Sequence, residues 1–139
     1  MKNTIFIVKD ITYESVEDDY EHGETGDSYC YDGSYIGMSY HHYKSLEEFI
    51  KDSDRYLYDC YINDTIEYNG NKVTVWMNAM QDSEGYSLSG NKLEEWKQKK
   101  IKGYSVTCIV TLEKFTSAGI AEDEIKNLTD IIHEKNNNN

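Results

Sequence analysis

From Asp10 to Tyr43 the chain carries nine carboxylates and no lysine or arginine, which is −9 of a formal net charge of −12. Self-repelling sequence of this kind makes a mobile loop or an exposed edge. It is densest at residues 14–27, with Glu14, Glu17, Asp18, Asp19, Glu21, Glu24 and Asp27 beside Gly23 and Gly26. Seven of the thirteen tyrosines share the Asp10–Tyr43 window, so the negative groups alternate with amphipathic rings. A surface of that sign and texture repels nucleic acid and attracts proteins with basic clefts, because long-range fields steer encounter before contact.

The rest of the chain must supply the core. At 139 residues it fits a single domain. A hydrophobic content of 38% is low, and tyrosine makes up the deficit by burying a ring while its hydroxyl stays wet. No apolar run approaches the roughly 18 residues of a membrane span. The Ile5–Val8 block is too short for a signal-peptide core. Cys30, Cys60 and Cys108 are odd in number and widely spaced, which argues against a disulfide framework and for the cytoplasm.

Periodicity places the elements. Thr4 to Val8 predicts a first strand ending at Asp10. Tyr29-Cys30-Tyr31 and Ser34-Tyr35-Ile36 flank Asp32-Gly33 as a hairpin with a type I′ turn. Ser45 opens a helix in a capping box with Glu48, and Leu46, Phe49 and Ile50 form its apolar face. A second hairpin pairs Ile66–Tyr68 with Lys72–Trp76 across Asn69-Gly70. Asn91 caps a short helix with Glu94 three residues on, Leu93 and Trp96 inward, and Gly103 at the left-handed stop. Val106, Cys108, Val110 and Leu112 alternate with polar or β-branched neighbours, as a central antiparallel strand does. Ile125, Leu128, Ile131 and Ile132 make the stripe of a last helix from about Ala121 to Glu134. Together these predict an α+β fold spanning residues 1–135 as one globular domain, with 136–139 as a disordered asparagine tail. Its antiparallel sheet has about five or six strands, built from two hairpins plus the N-terminal and late central strands, with two or three helices on one face.

Catalytic chemistry finds little purchase. His41-His42 cannot chelate one ion from a straight strand, whose adjacent side chains diverge, and no Cys-x-x-Cys or His-x-x-x-His spacing supports a metal. Cys108 lies on an inferred buried face, where thiols are usually inert. There is no nucleophile elbow and no glycine-rich phosphate loop. With 26 acids, carboxylate pairs are uninformative. The expectation is therefore no enzyme, no cofactor and no metal.

Two functional readings remain. The first is a non-catalytic inhibitor that blocks the basic, nucleic-acid-binding site of a protein partner. Carboxylates along an extended edge imitate phosphates in sign and roughly in pitch. Glu17, Asp18, Asp19, Glu21, Glu24 and Asp27 would supply the field, and Tyr20, Tyr29 and Tyr31 the anchors. Its bland counterpart is a solvated acidic loop; concentration of charge, absence of local cations and company of tyrosine favour the working surface. In size, charge and composition the chain resembles the anti-CRISPR and anti-restriction DNA mimics that phages use against bacterial defences, and the immunity proteins that plug toxin nucleases. That likeness implies a cytoplasmic, protein-binding role and carries no residue role across. The second reading is a sponge for a phosphorylated nucleotide signal, held by Trp96, Lys100, Lys102 and Trp76. Lysines on an exposed helix face, and a Trp76 in the core, are its bland counterparts. Tyrosine-rich edge strands also allow a homodimer.

Overall fold

The computed structural model describes residues 4–33, 41–116 and 118–137. The chain folds as an antiparallel sheet with helices, the α+β class its patterning predicts. In chain order the elements are β1 (Phe6–Asp19), β2 (Gly23–Asp32), β3 (His42–Tyr43), α1 (Leu46–Lys51), β4 (Tyr61–Ile62), β5 (Glu67–Asn69), β6 (Lys72–Gln81), α2 (Asn91–Lys97), β7 (Gly103–Lys114) and α3 (Glu122–Asn137). The seven strands among the described residues exceed the expected five or six, because β3 and β5 are short extensions of the two edges. The continuous order is β2-β1-β7-β6-β4, with β3 beside β1 and β5 beside β6.

β7 is central, as its alternation requires. Val106, Cys108, Val110 and Leu112 are buried on one face, where they meet Phe6, Val8, Ile11 and Tyr13 of β1 and Val73, Val75 and Met77 of β6. α1 and α3 cover this face through Leu46, Phe49, Ile50, Leu128 and Ile132, all buried. The Ser45 cap forms as its motif predicts, with Ser45 Oγ accepting from Glu48 N–H at 3.2 Å, while Glu48 reaches back one residue beyond the cap to accept from Lys44 N–H at 2.7 Å. Lys114, on the same face, holds the start of α3 through both oxygens of Glu124 at 2.9 Å.

Several local expectations give way. β1 does not end at Asp10 but runs to Asp19, and residues 14–27 form the facing arms of a β1–β2 hairpin with β2 at the sheet edge, the second of the two expectations for this stretch rather than a loop. Self-repulsion is offset here by ladders on both sides of β1, with β7 pairing it from Phe6 to Asp18. Tyr29–Tyr31 pair back to Tyr13–Ser15, and the expected second arm of the Asp32-Gly33 hairpin, Ser34–Ile36, lies outside the described residues. Gly33 is needed for close approach, since a Cβ there would sit 2.5 Å from the Tyr13 ring. The second hairpin forms one residue along: Asn69 pairs with Lys72 and Gly70 takes φ 61° at the first loop position, as type II′ turns require.

α2 departs further. Its N-cap is Gly90, with Asn91 already helical, and the left-handed residue after it is Lys99 at φ 62°, not Gly103. It buries no residue, and it does not share the face of α1 and α3. Trp96 fills the space a Gly103 side chain would take, and Gly103 lies on the opposite side of β7 from Val106. At the other end of the chain α3 continues through Asn136 and Asn137, two of the four expected tail asparagines. The Asn136 amide bonds both the Ile62 N–H (3.0 Å) and the Ile62 carbonyl (2.7 Å), satisfying the outward edge of β4 as another strand would.

Candidate interaction surface: an acidic hairpin and its lysines

The turn of the β1–β2 hairpin is held by its own acid. Asp19 Oδ1 accepts from the Glu21 N–H at 2.8 Å, and Oδ2 lies 3.5 Å from His22 Nδ1. That backbone N–H, with help from His22 and Lys99, keeps the Asp19 carboxyl below the usual carboxylate range. Tyr20 projects at the tip, 53% exposed, and Tyr29 is 62% exposed on β2. Tyr31 stacks on buried Tyr13 with centroids 5.2 Å apart and planes 12° from parallel, and Tyr29 follows at 6.2 Å. Glu14, Glu21 and Glu24 are exposed, Glu17, Asp18 and Asp19 half-buried, and Asp27 lies on the same strand as Glu24.

The two sequence-predicted sites meet here. Trp96 Nε1 donates to the Asp18 carbonyl at 2.8 Å, and its ring meets Tyr20 edge-on at 5.4 Å. Lys97 Nζ stands 5.4 Å from the centre of the Tyr20 ring. Lys99 reaches Glu21 at 3.0 Å, and Lys102 reaches Glu17 at 3.8 Å. A cleft of about 240 Å³ lies between them, lined by Glu17, Asp18, Tyr20, Trp96, Lys100 and Lys102 among others. Counter-charges missing from the acidic stretch itself are thus delivered from some 80 positions away. Exposed pairs of this kind contribute only about 0–1 kcal/mol each, so they trim the field at the tip without erasing it. Glu14 and Glu24 make no ion pair among the described residues, so uncompensated charge runs from Glu24 beside the turn back to Glu14 on β1.

The four residues of the nucleotide set do not converge. Trp96, Lys100 and Lys102 share the cleft, but Trp76 pairs with Ile109, six residues along β7 from Gly103. At about 3.3 Å per residue the two indoles sit on sheet positions roughly 20 Å apart. Nor is Trp76 in the core: it is half-buried on the face away from α1 and α3.

At the hairpin tip the His22 N–H closes the turn on the Asp19 carbonyl at 3.1 Å. With Asp19 and Glu21, His22 forms the grouping of potential metal-ligating side chains found among the described residues, their ligand atoms within 4.8 Å of one another. Asp19 and Glu21 already serve the turn and Lys99. The His41 ring lies 6.5 Å from that of Tyr43, and His42, the first residue of β3, is exposed. Cys30 is exposed, whereas Cys60 and Cys108 are buried. Burial pushes the Cys108 thiol up to about 12, which leaves it protonated and unreactive. Among the described residues no helix is long and apolar enough to cross a membrane.

A rigid block supports the tyrosines. Tyr13 donates its hydroxyl to the Tyr56 carbonyl, the Tyr43 and Tyr56 hydroxyls meet at 2.7 Å, and Tyr43 donates to Asp52 at 2.6 Å. Arg55 closes the group on Asp52 at 2.8 Å. Burial raises the hydroxyls of Tyr13 and Tyr43 well above the ordinary tyrosine range and also raises that of Tyr56, so all three stay neutral.

No protein-family model, no curated protein and no solved structure matches the chain.

Proposed function

We propose that this is a non-catalytic binding protein that occupies the basic, nucleic-acid-binding site of a protein partner, with the β1–β2 hairpin as the contact. One observation carries the proposal: the acidic stretch is an ordered two-stranded ribbon, and Glu14 and Glu24 stand exposed on it without ion-pair partners among the described residues. Glu24 faces Asp18, four residues along β1 from Glu14, so the two exposed carboxylates stand roughly 13 Å apart, about four phosphate steps of a DNA strand. Tyr20 and Tyr29 add large, exposed rings to the same ribbon, the residue type enriched among interface hot spots. Inhibition of a bacterial defence nuclease by a phage protein, or neutralisation of a toxin nuclease by its immunity protein, is the setting this occlusion suits.

The hairpin revises which acids to test. Asp19 builds the turn and Glu17 and Glu21 face lysines, so their replacement would disturb structure as well as charge. Glu14→Lys with Glu24→Lys reverses exposed charge alone. The assay is displacement of a fluorescent DNA duplex from heparin-retained basic proteins at low and high salt. The wild-type chain should displace the duplex, more weakly as salt rises, and the double variant should not. Asp130→Lys with Glu134→Lys on the exposed side of α3 makes the same charge change elsewhere and should retain displacement. Equal loss in both variants would reduce the effect to net charge and overturn the assignment to the hairpin.

A further inference from the structure

Beside the hairpin, on the face covered by α1 and α3, lies a second cleft of about 320 Å³. Its floor is apolar: buried Tyr13, Tyr56, Leu57 and Val106. The floor hydroxyls are engaged internally, Tyr13 on the Tyr56 carbonyl and Tyr56 with Tyr43. What the floor offers an incoming group is therefore ring and methyl surface. Tyr31, held flat by its stack on Tyr13, and Tyr58, 69% exposed, stand at its sides. Asp54 is exposed at the rim. Arg55 also borders the cleft, but its charge is answered by Asp52 at 2.8 Å.

We propose that this cleft receives a guanidinium side chain from the protein partner, an inference that rests on the cationic-partner reading above. An apolar floor suits the three methylenes of an arginine lying along it, tyrosine faces attract a planar cation, and Asp54 offers an exposed carboxylate at the rim for its head. A phosphate or nucleobase phosphate ester is the wrong sign here: the chain carries −12, and the rim cation is already paired. Lysine lacks the planar head that lies flat on a ring. The hairpin then provides the field that draws the partner in, and the tyrosine cleft a pocket that fixes one of its arginines.

The test uses the whole chain, ring-labelled at tyrosine and observed by NMR, titrated with acetyl-Gly-Arg-Gly-amide. Its citrulline analogue has the same shape without the charge. The arginine peptide should shift Tyr31 and Tyr58 saturably, and the citrulline and lysine peptides should bind several-fold more weakly. Tyr58→Leu, at a site too exposed to endanger folding, should weaken arginine binding about two- to fivefold. Glu14→Lys with Glu24→Lys should leave Tyr31 and Tyr58 responding, which separates failure of the pocket from failure of the hairpin. Equal binding of citrulline or lysine peptide, shifts confined to Tyr20, or no shift at all would each overturn the arginine pocket.

Discussion

Gly103→Ala should destabilise this protein, although alanine is ordinarily the better strand residue. A Cβ at Gly103 would lie 2.5 Å from Trp96 Nε1, 2.7 Å from Cδ1 and 2.9 Å from Cε2. No carbon sits that close to an indole, so the ring must leave. Leaving breaks the 2.8 Å bond to the Asp18 carbonyl, worth about 1 kcal/mol. It also uncovers a half-buried indole: roughly 100 Å² at about 25 cal/mol per Å² is another ~2.5 kcal/mol. Against this, removing glycine from a strand recovers about 0.5–1 kcal/mol. The expected net loss is about 2–3 kcal/mol, read as a drop in urea midpoint at constant slope by far-UV circular dichroism. The sign should reverse without the indole: in a Trp96→Ala background, Gly103→Ala should be neutral or stabilising by up to about 1 kcal/mol. The same loss in both backgrounds would refute the steric account and, with it, the view that one aromatic contact fastens α2 to the hairpin.

Glu124→Gln should cost about 1–3 kcal/mol in thermal melts, because it strands Lys114, whose side chain is 9% exposed; Glu124 itself is 32% exposed, which moderates the loss. Lys114→Met combined with Glu124→Leu should return to within about 1 kcal/mol of wild type, and a double variant worse than Glu124→Gln would contradict this. At Asp52, burial pulls the carboxyl upward, but the hydrogen bonds from Tyr43 and Arg55 outweigh it and hold the group below the ordinary range. A depressed carboxyl stabilises the fold above its unfolded value of about 3.9 and loses that contribution as pH falls through its folded value. Urea midpoints of wild type and Asp52→Asn should therefore stay apart from pH 7 down to about 4 and converge below it, whereas a gap that persists at pH 2 would contradict the network.

Some of this was written locally. Ser45 and Glu48 mark the start of α1 because a cap needs only residues three apart. The alternation from Val106 to Leu112 identifies the central strand, and Leu128 with Ile132 identifies the buried side of α3, because each periodicity is a property of its own segment. The net negative charge is equally a matter of composition.

Other features required the fold. Nothing within residues 14–27 says that acids can line two strands; that depends on β7 pairing alongside and on Lys99 and Lys102 arriving from beyond α2. Trp96 and Trp76 look alike in sequence, yet one reaches the hairpin over a missing Cβ and the other lies on the same face of the sheet six residues further along β7. The tyrosine cleft joins β1, β2 and the 3₁₀ turn at Ser53–Arg55, and no window of the chain contains it. Local pattern decides which side of an element is buried, since that needs only neighbours a turn or a pleat away. Which charges, rings and glycines meet is decided by strand order, because those partners lie tens of residues apart and come together only when the sheet closes.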